Sequence, residues 1–133
     1  MSANRRLHTA MAAALRAHPP LAGGVTAILD APPVRALHPF VVVDDPVLTD
    51  WGTKDQQGRE GRIALFVRDT GERPERLREL IGEAEAAIEA MPAEIGEGWR
   101  IVGRLLMRSR VLREGAARWA AISEWRVRML RSM

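Results

Sequence analysis

The stretch "PERLRELIGEAEAAIEAMPAEIGEGWRIVGRLLMRSRV", Pro74 to Val111, changes its hydrophobic period partway along. In the first half Leu77, Leu80, Ile81, Ala84, Ile88 and Met91 recur at steps of three, four and seven. That spacing gathers them into one apolar stripe, while Glu75, Glu79, Glu83, Glu85 and Glu89 occupy the remaining surface. The spacing predicts an amphipathic helix over 74–91. Glu72 and Glu75 sit near its start, where negative charge suits the helix dipole, and Pro92 closes it. Beyond a turn at Gly96 and Gly98 the period drops to two. Trp99, Ile101, Gly103, Leu105, Met107 and Val111 alternate with Arg100, Arg104, Arg108 and Arg110, which puts the two sets on opposite faces of a strand. A helix running into a long strand with one arginine face implies a sheet covered on one side only.

The flanking sequence extends this pattern. "REGAAR" (Arg113 to Arg118) is a turn into a last strand, where Trp119, Ala121, Trp125, Val127 and Met129 alternate with Glu124, Arg126 and Arg128. Toward the N-terminus, Leu7, Met11, Ala14, Leu15 and His18 predict a helix over about 3–17, with Pro19-Pro20 and Gly23-Gly24 as its stop. A short strand over 25–29 ends at the "DAPP" turn. A second begins at Phe40 and continues, bent near Pro46, to about Trp51; a third runs over Ile63 to Val67. The order helix, three strands, helix, two strands predicts one α+β domain over 1–133. It would be an antiparallel or mixed sheet of about five strands, with both helices on one face and the arginines on the other. Between the second and third strands, Gly52 to Gly61 forms a polar loop of ten residues, longer than the usual two to five of a hairpin. Its charges nearly cancel and it lacks rings on which bases could stack, which suits a protein contact.

Composition bounds the partners. Of 133 residues 47% are hydrophobic and 28% charged, ordinary for a globular chain. No apolar run approaches the roughly 20 residues of a spanning helix, and the Arg5-Arg6 and alanine-rich start is broken by His8, Arg16 and His18, so no membrane partner is expected. The pI of about 10.8 accompanies a net charge of only +3, because Lys54 is the sole lysine beside 19 arginines and Tyr and Cys are absent. Few groups then lose a proton between neutral and strongly basic pH. The charge is segregated: residues 1–70 sum to +1, 71–98 to −5 and 99–133 to +7.

No catalytic constellation emerges. His8, His18 and His38 lack metal spacing, no serine lies in a nucleophile elbow, and Gly96 and Gly98 precede a strand, so they cannot cradle phosphate at a helix start. As an acid pair Asp44 and Asp45 fail, since adjacent residues on a strand point apart, and a strand end or turn is the better reading. No cofactor or metal is expected. Arg100, Arg104, Arg108, Arg110, Arg126 and Arg128 carry the strongest signal, and three uses stay open: a solvated face, pairing with acidic protein, or contact with phosphates.

The run "AILDAPPVRALHPFVVVDDPVLTDWGTKDQQGREGRIALFV" resembles the tail-completion, or tail-terminator, family of siphophages, prophages and gene transfer agents. Asp30, Pro32, Pro33, Asp50, Trp51, Thr53, Lys54, Gly58, Arg59 and Glu60 carry the likeness, and the later helix, arginine strand and tryptophan strand fit the same pattern. The resemblance implies a structural virion protein, assembled in the bacterial cytoplasm. Such a protein forms a ring of identical copies, six in number, that caps the tail tube, stops its polymerisation and joins it to the head. Its partners would be itself, the major tail tube protein and the head-tail connector or stopper protein, with DNA only passing through the lumen. On that basis Asp50, Trp51, Thr53, Lys54, Asp55, Gln56, Gln57, Arg59 and Glu60 are candidate interface residues of the loop. Glu79 and Glu83 on one copy, facing Arg100, Arg104, Arg108, Arg110, Arg126 and Arg128 on the next, are candidates between subunits. A head-to-tail adaptor and a small arginine-rich nucleic-acid-binding domain are the alternatives.

Overall fold

The computed structural model describes residues 2–132. Its elements are α1 (Ala3–Arg16), α2 (Pro19–Ala22), β1 (Ala27–Leu29), β2 (Phe40–Val43), β3 (Val47–Asp50), β4 (Gln57–Thr70), α3 (Glu75–Ala90), β5 (Glu94–Gly96), β6 (Trp99–Gly115) and β7 (Arg118–Arg131). The seven strands among the described residues form one mixed sheet in the order β1-β2-β4-β7-β6-β5, with β3 beside β4. Only β1 and β2 run parallel; the other neighbours are antiparallel. The α+β class is as expected. The strand number rises because Asp44, Asp45 and Pro46 divide the second expected strand into β2 and β3, both paired with β4, and because Glu94–Gly96 adds a short strand against the start of β6.

Both long helices cover the same face of this sheet. In α1 the helical spacing puts Leu7, Met11 and Leu15 at 0% exposure, each contributing about 1.5–3 kcal/mol by leaving water. Ser2 caps the helix by accepting from the Arg5 amide at 3.1 Å. Helix α3 buries Leu77, Leu80, Ile81, Ala84, Ala87 and Ile88. They meet Val41, Val43, Ile63, Leu65, Val67, Ala121, Trp125, Val127 and Met129 from the sheet in one core. His18, between α1 and α2, bonds Glu83 of α3 at 2.8 Å and ties that corner to α3. Trp99 and Trp125 are buried as the alternation predicts, whereas Trp119 is only half-buried and donates its indole N–H to the Gly71 carbonyl at 3.1 Å.

The hairpin before β4 departs from expectation. The predicted ten-residue loop shrinks to Trp51–Gln56, because β4 starts at Gln57 and pairs over Arg59–Arg62 with β3. Gly58 and Gly61 are pairing residues, not loop residues, and only Gly52 stays in the loop. A Cβ on Gly61 would lie 1.8 Å from the Val47 carbonyl oxygen, and one on Gly58 would lie 2.7 Å from that of Trp51. Only a residue without a side chain lets β3 lie this close. The Trp51 amide closes the ladder onto the Gly58 carbonyl at 3.0 Å, and the Thr53 amide bonds the Gln56 carbonyl at 2.8 Å.

Candidate assembly surface

Strand β7 forms ladders on both sides, with β4 and β6, over its whole length. Strand β6 does not. Among the described residues its outer side has no strand partner beyond Arg100, since β5 reaches only the residues at its start. Bulges break its register against β7 between Ile101 and Gly103, between Leu106 and Arg108, and between Arg113 and Gly115. Each bulge inserts a residue and resets which side chains face which way. Strict alternation puts Leu105 and Met107 in the core; instead Val102, Leu105, Leu106 and Met107 are 49%, 57%, 40% and 48% exposed. The signal was present in the sequence as three consecutive apolar residues, "LLM", which a half-buried strand does not need.

The same bulges move one arginine. After the first, Arg104 lies opposite Val127, a core residue, and so sits on the helix side of the sheet. Its guanidinium donates to the carbonyls of Ile88, Glu89 (3.3 Å) and Met91 (2.9 Å), the open end of α3. A cation there satisfies carbonyls that have no helical partner and complements the dipole. The expectation that Arg104 belongs to the exposed arginine face is therefore corrected.

The remaining arginines do share the outer face, in rungs running across β4, β7 and β6. Glu60, Arg128 and Gly103 form one rung; Arg62, Arg126 and Leu105 the next; Ala64, Glu124 and Arg108 the third. Arg128 bonds Glu60 at 3.0 Å and Arg108 bonds Glu124 at 2.6 Å, while Arg100 stands 3.8 Å from Glu94. In the middle rung Arg62 faces Arg126, and among the described residues neither has an ion pair. Arg110 is likewise exposed and without one. Like charges directly opposed cost stability, so this rung is built at a loss in the isolated chain. Arg62 escaped notice in the sequence because it stands outside the two arginine-rich strands.

Trp51 of the loop meets this face, with Arg128 5.0 Å over its ring; Arg59 lies opposite the core residue Met129, on the helix side, and reaches Asp50 at 3.4 Å. Thr53, Lys54, Asp55 and Gln56 form the tip, while Gln57, Arg59 and Glu60 are strand residues. Arg59 and Arg131 lie 5.7 and 5.8 Å from the Trp99 ring centre. On the other layer Glu79 is exposed, and Glu83 is committed to His18.

Two further features bear on chemistry. Asp69, at the end of β4, is buried and receives both arms of Arg76, at 2.8 and 2.6 Å, and the Thr70 amide at 2.8 Å. Burial pushes its carboxyl up, but the Arg76 and Thr70 bonds outweigh this and hold it below the usual carboxylate range. It pins the start of α3 to the sheet. An open depression of about 670 Å³, lined by Pro33, Val34, Arg35, Ala36, Leu37, His38 and Phe40, contains no carboxylate. Among the described residues no group of three or more His, Asp or Glu could hold a metal, and no helix is long and apolar enough to cross a membrane.

Comparison with known proteins identifies the fold and the family. A chain of a solved structure titled "Virion of native gene transfer agent (GTA) particle" superposes with a TM-score of 0.78 at 24% identity. The match covers 98% of this chain and 99% of that one, and at this identity it establishes the shared fold. No curated protein matches. Residues 9–129 match the family described as "Tail completion protein gp17". With nearly its whole length inside that match, the chain belongs to the gp17 tail completion family and is a structural component of a phage-type tail.

Proposed function

We propose that the protein is a tail terminator: a closed ring of six copies that caps the tail tube, stops its growth and presents a surface to the head connector. The observation that carries this is the exposed apolar group Val102, Leu105, Leu106 and Met107 on β6, whose outer edge has no strand partner among the described residues. An open, apolar strand edge is an aggregation hazard in a solitary molecule and is ordinarily covered. A head-to-tail contact whose rotation closes covers it on every copy. The internal pairing of Arg100, Arg108 and Arg128 with carboxylates favours a protein-facing surface over a phosphate-binding one. Arg62, Arg126 and Arg110 stay available for Glu79 of a neighbour, and the Thr53–Gln56 tip for the tube or the head connector.

Sedimentation of the purified chain tests the ring. A single species of six-fold mass is expected, and a monomer at every concentration would overturn it. Deleting Lys54 to Gln56 should leave the ring intact and leave tails unjoined to heads. Fully joined particles would remove the loop from that contact.

A further inference from the structure

The two sides of the sheet are unlike, and the difference identifies what covers β6. Over Trp99–Arg113 this strand carries Arg100, Arg104, Arg108, Arg110 and Arg113 and no acidic residue. Two β6 edges laid together would oppose arginine to arginine, so a two-fold pairing of this strand is disfavoured. The far side of the sheet has the opposite character. There, among the described residues, β3 (Val47–Asp50) is paired only with β4, and its outer side has no strand partner. Asp44 and Asp45 precede it, Asp50 ends it and Asp55 follows, while Val47 is 69% exposed and Leu48 only half-buried.

Resting on the ring proposed above, we infer that β3 of one copy adds to the free edge of β6 on the next, continuing the sheet around the ring. Strand direction permits it: β3 is antiparallel to β4, β4 to β7 and β7 to β6. Hence β3 and β6 run oppositely, and a neighbour set edge-on without reversal adds its β3 antiparallel. Length permits it as well. The bulges leave Gly103–Leu106 and Arg108–Arg113 as the regular stretches of β6, four and six residues long, and β3 has four. Bulges that guard the edge against a long foreign strand still admit this short one. Val47 and Leu48 then cover Leu105 and Leu106, and the flanking aspartates approach Arg108 and Arg110.

The absence of cysteine from the sequence makes the test clean. Thr49→Cys is combined in turn with Leu105→Cys, Met107→Cys and Arg110→Cys, and the purified chains are oxidised and resolved by mass under denaturing conditions. Within one copy β3 and β6 are three strand spacings apart, about 14 Å, beyond the roughly 7 Å that a disulfide spans. Any bridge is therefore between copies. The expected result is a ladder rising to six chains for at least one pair, and at most a trace of dimer from any single cysteine. Efficient dimer from Met107→Cys alone would replace the inference with a two-fold β6 contact. Six-fold mass without a ladder from any pair would overturn the edge pairing and leave the ring standing. Monomeric mass without a ladder would overturn both.

Discussion

Strands β4 and β6 are the two ends of a comparison: one has 14 residues and the other 17, both pair with β7, and they obey different rules. Strand β4 has neighbours on both sides and helices over one face, so Ile63, Leu65, Val67 and Asp69 are buried at strict period two. Strand β6 has one neighbour over most of its length and three register shifts, and from Leu105 to Arg110 every residue is exposed. Alternation reports burial only where a pleat is held on both edges. At an edge, bulges reassign faces, and apolar residues become available to another molecule.

The sharpest way to break this contrast is a truncation in each strand. Leu65→Ala should cost about 3 kcal/mol in urea unfolding, since Leu65 is fully buried. A loss under 1 kcal/mol would mean that the β4 core is looser than its burial implies. Next in size, Gly61→Ala forces β3 away from β4 and should cost about 2 kcal/mol. Hydrogen exchange should then show Val47–Asp50 losing protection before the rest of the sheet. Asp69→Asn should destabilise by about 1.5 kcal/mol, moderated because the Arg76 end is 58% exposed and screened by solvent. Because the folded-state pKa is lowered, that difference should be full above the ordinary carboxylate value of 3.8 and should close as pH falls through the lower folded value. A gap that persisted in strong acid would refute the ion pair as its cause. Arg104→Ala should cost about 1 kcal/mol by uncapping α3, with fraying of Ile88–Met91 as its signature. Leu105→Ala should change unfolding by less than about 0.5 kcal/mol while raising the concentration at which the proposed ring dissociates. A large loss of stability in the isolated chain would contradict the exposed edge.

Much of the architecture was legible because it rests on local periodicity. The stripe of Leu77 to Met91, the alternation of Ile63 to Val67 and the tryptophans of β7 each encode a face without help from distant residues. The kink at Asp44-Asp45-Pro46 was visible too, and it separates β2 from β3. What stayed hidden was set by partners remote in sequence. Gly58 and Gly61 look like loop residues until β3 lies against them, and Arg104 looks like a surface residue until bulges turn it toward α3. The candidate surface was legible as a charge pattern and as a family likeness. Its apolar half was not, because Leu105 and Met107 fit the core pattern as well as the edge.

One last consequence concerns light. With no tyrosine in the sequence, near-ultraviolet emission comes from the four indoles, and Trp99 and Trp125 are shielded inside the fold. Trp51 follows β3 directly and lies beneath Arg128. A protein retaining only that indole would carry a built-in optical reporter beside the acidic edge. Its emission wavelength would follow subunits joining in real time, with no dye attached.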